Sequence, residues 1–122
     1  MPSSKKFRML NHDDPDVAFE PSDFTPPETF TTDDHHEINH FFHQSDDNGI
    51  LAGIWESAPT KEHFDSYPVD EMMTVLAGSV TLTNEEGETE VFTASQSIFI
   101  PKGAKVTWEI TETLRKHYLI AS

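Results

Sequence analysis

From Ile50 onward the chain alternates apolar and polar residues over short runs that are separated by turn-forming residues. That pattern predicts successive β-strands at the close spacing of a barrel or sandwich. The predicted strands are Ile50–Glu56, Glu71–Ala77, Ser79–Asn84, Glu90–Thr93, Ser97–Ile100, Lys105–Ile110 and Arg115–Ile120. Between Asn84 and Glu88 the run NEEGE supplies a turn at Gly87, and in VTWEI the period of two puts Val106, Trp108 and Ile110 on one face, predicted internal. Upstream, INHFFHQS also alternates and DDNG is a turn, so this segment is predicted to be a hairpin with Asn48 and Gly49 at its bend. His35, His36, His40 and His43 have spacings that would suit zinc or nickel on a helix. On a regular strand, however, His40 and His43 face opposite sides, so the cluster is expected to be a polar strand face.

Residues 1–34 read differently. They carry five of the eight prolines, the runs DDPD, PSD and TPPET, and neither helical nor strand periodicity, which predicts an irregular arm. Phe7, Phe19, Phe24 and Phe30 punctuate that arm, and aromatics at this density predict that parts of it lie against the body of the protein or a neighbouring subunit. Residues 35–122 are then one all-β domain. A chain of this length can bury a core without staples, and the absence of cysteine removes thiol redox chemistry and a disulfide framework.

Charge narrows the partners. Eight Lys and Arg against 22 Asp and Glu give a net charge of −14, which repels a phosphate backbone and argues against nucleic acid. No apolar leader follows Met1 and the apolar runs are too short to cross a bilayer, so no membrane association and a cytoplasmic location are expected.

The stretch YPVDEMMTVLAGSV (Tyr67–Val80) presents a carboxylate at the mouth of a strand, and SIFIPKGAKVTWEI (Ser97–Ile110) interrupts two strands with Pro101 and Gly103. Glu71, six residues, Gly78, and later Pro-x-Gly resemble the ends of the two motifs of the cupin superfamily. Together with WESAP around Trp55 and the closing LRKHYLI, they are similar to the DUF861 branch, which is named for the ureidoglycine aminohydrolase domain. The resemblance spans about Asn39 to Ile120 and implies a cupin (RmlC-like) jelly-roll β-barrel with a central pocket. It also shows where this chain departs from the family. The places of the two histidines of the first motif fall among Phe64, Asp65, Ser66 and Tyr67, Ser95 stands for the glycine that opens the second motif, and Val106 stands for its histidine. No metal site is therefore expected, and no other cofactor is implied.

An inward carboxylate without a partner would cost several kcal/mol, so Glu71 must be paired or hydrated. Tyr67 is a candidate donor, and the RKH run a candidate source of charge. A strand sends Arg115 and His117 one way and Lys116 the other, and alternation within that run leaves open which is inside. The predicted ligand pocket comprises Glu71, Tyr67, Trp55 and Trp108, the tryptophans providing flat walls and N–H donors. His63 is a further candidate, as a displaced ligand or general base; no catalytic residue is assigned. Two functions follow: a metal-independent cupin binding a small polar metabolite, or an enzyme related to the ureidoglycine aminohydrolase type acting on a nitrogen-containing metabolite. A homodimer is expected, since cupins commonly pair through edge strands.

Overall fold

A computed structural model describes residues 7, 9–14 and 17–122; the rest of the predicted arm lies outside the described residues. In chain order the elements are β1 (Glu20–Pro21), a 3-10 turn (Pro27–Thr29), β2 (Glu37–Gln44), β3 (Ile50–Ser57), β4 (Thr60–Phe64), β5 (Asp70–Thr83), β6 (Thr89–Thr93), β7 (Ser97–Ile100) and β8 (Val106–Ala121). All pairings among them are antiparallel, and the described residues contain no α-helix. The predicted all-β fold is what the chain adopts.

Two long strands, β5 and β8, form the spine and pair with each other. The outer edge of β8 takes β3 along its second half and β4 along its first. The outer edge of β5 takes β7 along its first half and β6 along its second. Sequence alternation splits β5 in two because the phase of burial breaks in its middle; β8, also predicted as two pieces, keeps one phase throughout. Glu71, Met73 and Val75 are buried, and beyond Gly78 the buried positions become Val80 and Leu82. The register slips between Val75 and Thr81 make that phase change; such bulges bend a strand and increase its twist. Gly78 lies at φ 77°, and a Cβ there would overlap the carbonyl of Thr113 on the neighbouring strand. Only glycine lets the two backbones approach so closely in this conformation. The bend rolls both halves of the sheet around one core that joins Trp55, Met73, Val75, Val80, Ile98 and Leu114. Full burial of each large aliphatic side chain contributes about 1.5–3 kcal/mol.

Strand β4 was not among the sequence-predicted elements. Its run TKEHF has three consecutive polar residues, Lys61, Glu62 and His63, and no β-branched residue after Thr60, so it carries little strand signal. It is held by its full register with β8, from Thr60 opposite Ile110 to Phe64 opposite Val106.

The hairpin bend falls where predicted. Asn48 adopts φ 57°, and the Asp47 carboxylate accepts hydrogen bonds from Ser45 Oγ (2.8 Å) and Gly49 N (2.9 Å). The histidine geometry is different from the regular-strand expectation. A bulge between Phe41 and His43 puts His40 opposite Ile54 and His43 opposite Ala52, two residues apart on β3, so both face the same side. Ser95, in place of the family's glycine, sits at φ 75°, the left-handed conformation a glycine would favour.

The arm is fastened at several points, although Phe7 and Met9 at its start are exposed. Glu20 and Pro21 pair with Asn39 and Ile38 at the edge of β2. The buried carboxylate of Glu37 gathers four donors: Ser22 Oγ (2.7 Å), Phe24 N (3.0 Å), Thr25 N (3.2 Å) and Trp55 Nε1 (2.9 Å). Farther back, Arg115 donates to the His12 carbonyl at 3.1 Å and lies 4.8 Å from the Phe19 ring centre.

Candidate functional site

The site grows from the mouth of β5. Asp70 points outward and Glu71 inward by strand alternation, and Glu71 is only 3% exposed. The loop before it is clamped by backbone bonds from Tyr67 N to Ala104 O and from Gly103 N to Tyr67 O, both 2.8 Å. This clamp sets the Tyr67 ring so that its hydroxyl donates to Glu71 Oε1 at 2.6 Å. Burial, then the charge and hydrogen bond of Glu71, hold the Tyr67 hydroxyl far above the ordinary phenol range, so it stays a donor.

The other carboxylate oxygen accepts from Lys116 Nζ at 2.7 Å. Lys116 is the inward member of the RKH run; Arg115 and His117 take the outer face, Arg115 bonding Glu56 at 2.7 Å. Burial raises the Glu56 carboxyl, but the hydrogen bonds from His36 and Arg115 outweigh it and leave the group below its usual range. The Lys116 ammonium also lies 4.5 Å from the Trp108 ring centre, 4.9 Å from that of Trp55 and 5.8 Å from that of Tyr118. Such cation–π contacts strengthen when desolvated. Tyr118 rests its hydroxyl 2.6 Å from the Asn39 side-chain amide. Burial, opposed by Asn39 and reinforced by the Glu71 charge, pushes that hydroxyl up to about 12.

Glu71, Tyr67, Trp55 and Trp108 all line one cavity of about 330 Å³, walled further by Phe24, Phe41 and Phe64. That size is at the low end of small-molecule sites. Lys116, Thr25 and Glu62 are among the lining residues that escaped the sequence reading or were left open by it. Lys116 was one of two alternatives; Thr25 enters because Glu37 holds the arm in place; Glu62 lies on the unpredicted β4. Glu62 stands directly opposite Trp108 in the register and is half-buried, and its carboxylate has no hydrogen bond among the described residues. Burial, with the Glu28 and Glu37 carboxylates adding, pushes its pKa up. Trp108 Nε1 is likewise buried without a partner. The available signal for Glu62 was the alternation of TKEHF, which places residues 60, 62 and 64 on one face.

His63 belongs to the other face. It is exposed, bonded to Thr107 Oγ1 at 2.8 Å and to Asp65 at 3.0 Å, and has no part in the cavity. The upstream histidines are dispersed: His35 stacks on Phe30 at 4.5 Å, His36 bonds Glu56 at 2.8 Å, and His40 bonds the Ala18 carbonyl at 2.9 Å.

The cavity does not suit a metal ion. Its motif carboxylate is already taken by an ammonium and a phenol, and Val106 offers hydrocarbon where the family has an imidazole. Divalent ions need several N, O or S donors around them. Among the described residues no three His, Cys, Asp or Glu side chains converge on a point, and no helix is long and apolar enough to cross a membrane.

A rolled antiparallel sheet with an inward glutamate on the strand before a Gly bend is the arrangement of a cupin barrel. The sequence model of the EutQ-like cupin domain matches residues 44–118, and the chain belongs to that family. A search of curated proteins finds no match. Among solved structures, the chain is similar to a protein described as ethanolamine utilization protein Q from Salmonella typhimurium LT2 (24% identity, 71% of this chain, 70% of that one, TM-score 0.60). It is also similar to the EutQ protein of Clostridium difficile (20% identity, 70% and 67% coverage, TM-score 0.58). A DUF861 protein of unknown function from Pseudomonas syringae pv. tomato superposes over more of this chain, 85%, at 21% identity and TM-score 0.76, and this chain spans 44% of it. These likenesses establish the fold.

Proposed function

We propose that the protein is a metal-independent cupin that holds a small polar metabolite in the barrel, against Glu71, Tyr67, Trp55 and Trp108. The observation that carries this is the Tyr67–Glu71–Lys116 network, set inside an aromatic cavity. Buried ion pairs are seldom the most stable way to fill a core, since apolar residues of similar volume often do at least as well. Their use beside an open cavity is what ligand recognition requires, a few placed polar groups among apolar walls.

The test is a thermal-shift and tryptophan-fluorescence screen of small amines, ureas and amino acids. The similar Salmonella protein's description as an ethanolamine utilization protein favours including small amino alcohols. A hit should lose affinity in Glu71→Gln and in Trp108→Leu. A hit that stabilises both variants as much as wild type would put the site elsewhere. Calorimetry with zinc, manganese or nickel should give no one-to-one site that vanishes in Glu71→Gln.

A phenol, a carboxylate and an ammonium in contact are also potential proton-transfer groups, which favours a second reading: an enzyme of the ureidoglycine aminohydrolase type acting on a nitrogen-containing metabolite. Mass-spectrometric detection of turnover of any hit separates the two. In either case we propose a homodimer. Phe99, Met72 and Leu119 stand opposite one another across β7, β5 and β8 and are exposed, forming an apolar row that a second copy would cover. Sedimentation showing monomer alone at micromolar concentration would refute it.

A further inference from the structure

The charges lining the cavity do not sum to zero. Glu71 and Lys116 neutralise each other at 2.7 Å, and Glu62 remains, half-buried and without a hydrogen bond. Lys116 has little left to offer an anion, because Glu71, the Met73 sulfur at 3.7 Å and the rings of Trp55 and Trp108 surround its ammonium. Glu62 lines the cavity from β4, directly opposite Trp108 on β8, so its carboxylate stands beside an aromatic wall.

Resting on the reading that the barrel binds a ligand, we propose that the ligand is a monovalent organic ammonium. Glu62 is the counter-ion. Phe24, Phe41 and Phe64 enclose the apolar body. Bringing a cation to Glu62 removes the uncompensated charge, and aromatic faces favour cations over anions. The protein's acidity, at net −14, works in the same direction by concentrating cations around it.

Four probes of one skeleton test this by calorimetry at pH 7: 2-amino-1-phenylethanol (ammonium and hydroxyl), phenethylamine (ammonium alone), 1-phenylethane-1,2-diol (neutral) and mandelate (anionic). The first should bind at least tenfold tighter than the diol or mandelate. Glu62→Gln should abolish the preference for ammonium over diol, and this variant should fold because the carboxylate it removes makes no hydrogen bond. Diol or mandelate binding as tightly as the amines, with affinity lost in Glu71→Gln, overturns the ammonium assignment and leaves the barrel site standing. An ammonium preference that survives Glu62→Gln also overturns it. Failure of all four to bind, or binding that neither Glu62→Gln nor Glu71→Gln alters, refutes both readings.

Discussion

Replacing Lys116 with methionine is the sharpest perturbation of the site. Methionine keeps most of the volume and the contacts with Trp55 and Trp108, but it removes the ammonium 2.7 Å from Glu71 Oε2. The two side chains are 7% and 4% exposed, so the carboxylate that remains is poorly solvated. Removing one member of a buried pair costs about 3–5 kcal/mol. The hydrogen bond from Tyr67 survives and keeps the loss from being larger. With an unfolding entropy of about 2.1 cal/mol/K per residue, a chain of this length should lose roughly 12–20 °C in Tm. Removing the charge of Glu71 as well should restore much of this, since the double variant Glu71→Gln/Lys116→Met buries no unpaired ion. Calorimetric unfolding of wild type, both single variants and the double variant completes the cycle. If Lys116→Met costs under about 1 kcal/mol, or the two losses simply add, then Lys116 and Glu71 are not the coupled buried pair described here.

Gly78→Ala should destabilise by roughly 2–5 kcal/mol, combining left-handed strain with overlap on Thr113; Gly87→Ala, at φ 83° with open space around it, should cost only the first part in the same denaturant titration. Glu37→Ala should free the arm and leave Trp55 Nε1 buried and unpaired, read as chymotrypsin cleavage after Phe24 before the barrel is cut. For Glu62 the folded state holds its proton more tightly than the unfolded chain, so its contribution is present below the ordinary value of 4.5 and lost as pH rises through the raised folded value. Glu62→Gln should therefore raise Tm at pH 7, with the gain shrinking to nothing below about pH 4; a gain independent of pH would refute this.

Much of the architecture was legible in the residues. Alternation located seven strand segments, Asn48 marked its turn, and Val106, Trp108 and Ile110 are all buried as their period of two requires. The resemblance to the cupin motif placed Glu71 inward, and the cost of a bare buried carboxylate made Tyr67 a candidate donor, which the 2.6 Å hydrogen bond matches. Phase across the long strands was less accessible. In β8 the inward parity of Val106 continues unbroken to Leu114, Lys116 and Tyr118, so treating the strand as two pieces discarded the information that puts Lys116 inside. In β5 the parity reverses around Gly78, and in β2 a bulge at Phe41 to His43 brings His40 and His43 to one face. Alternation specifies which residues share a face between bulges; where a bulge falls depends on the strand alongside. Glu37 and Glu62 were hidden for the same reason. Each reads as an ordinary surface glutamate in the local sequence. Only the arm donating to one, and the register of β4 on β8 behind the other, turns them inward, and those pairings join residues tens of positions apart.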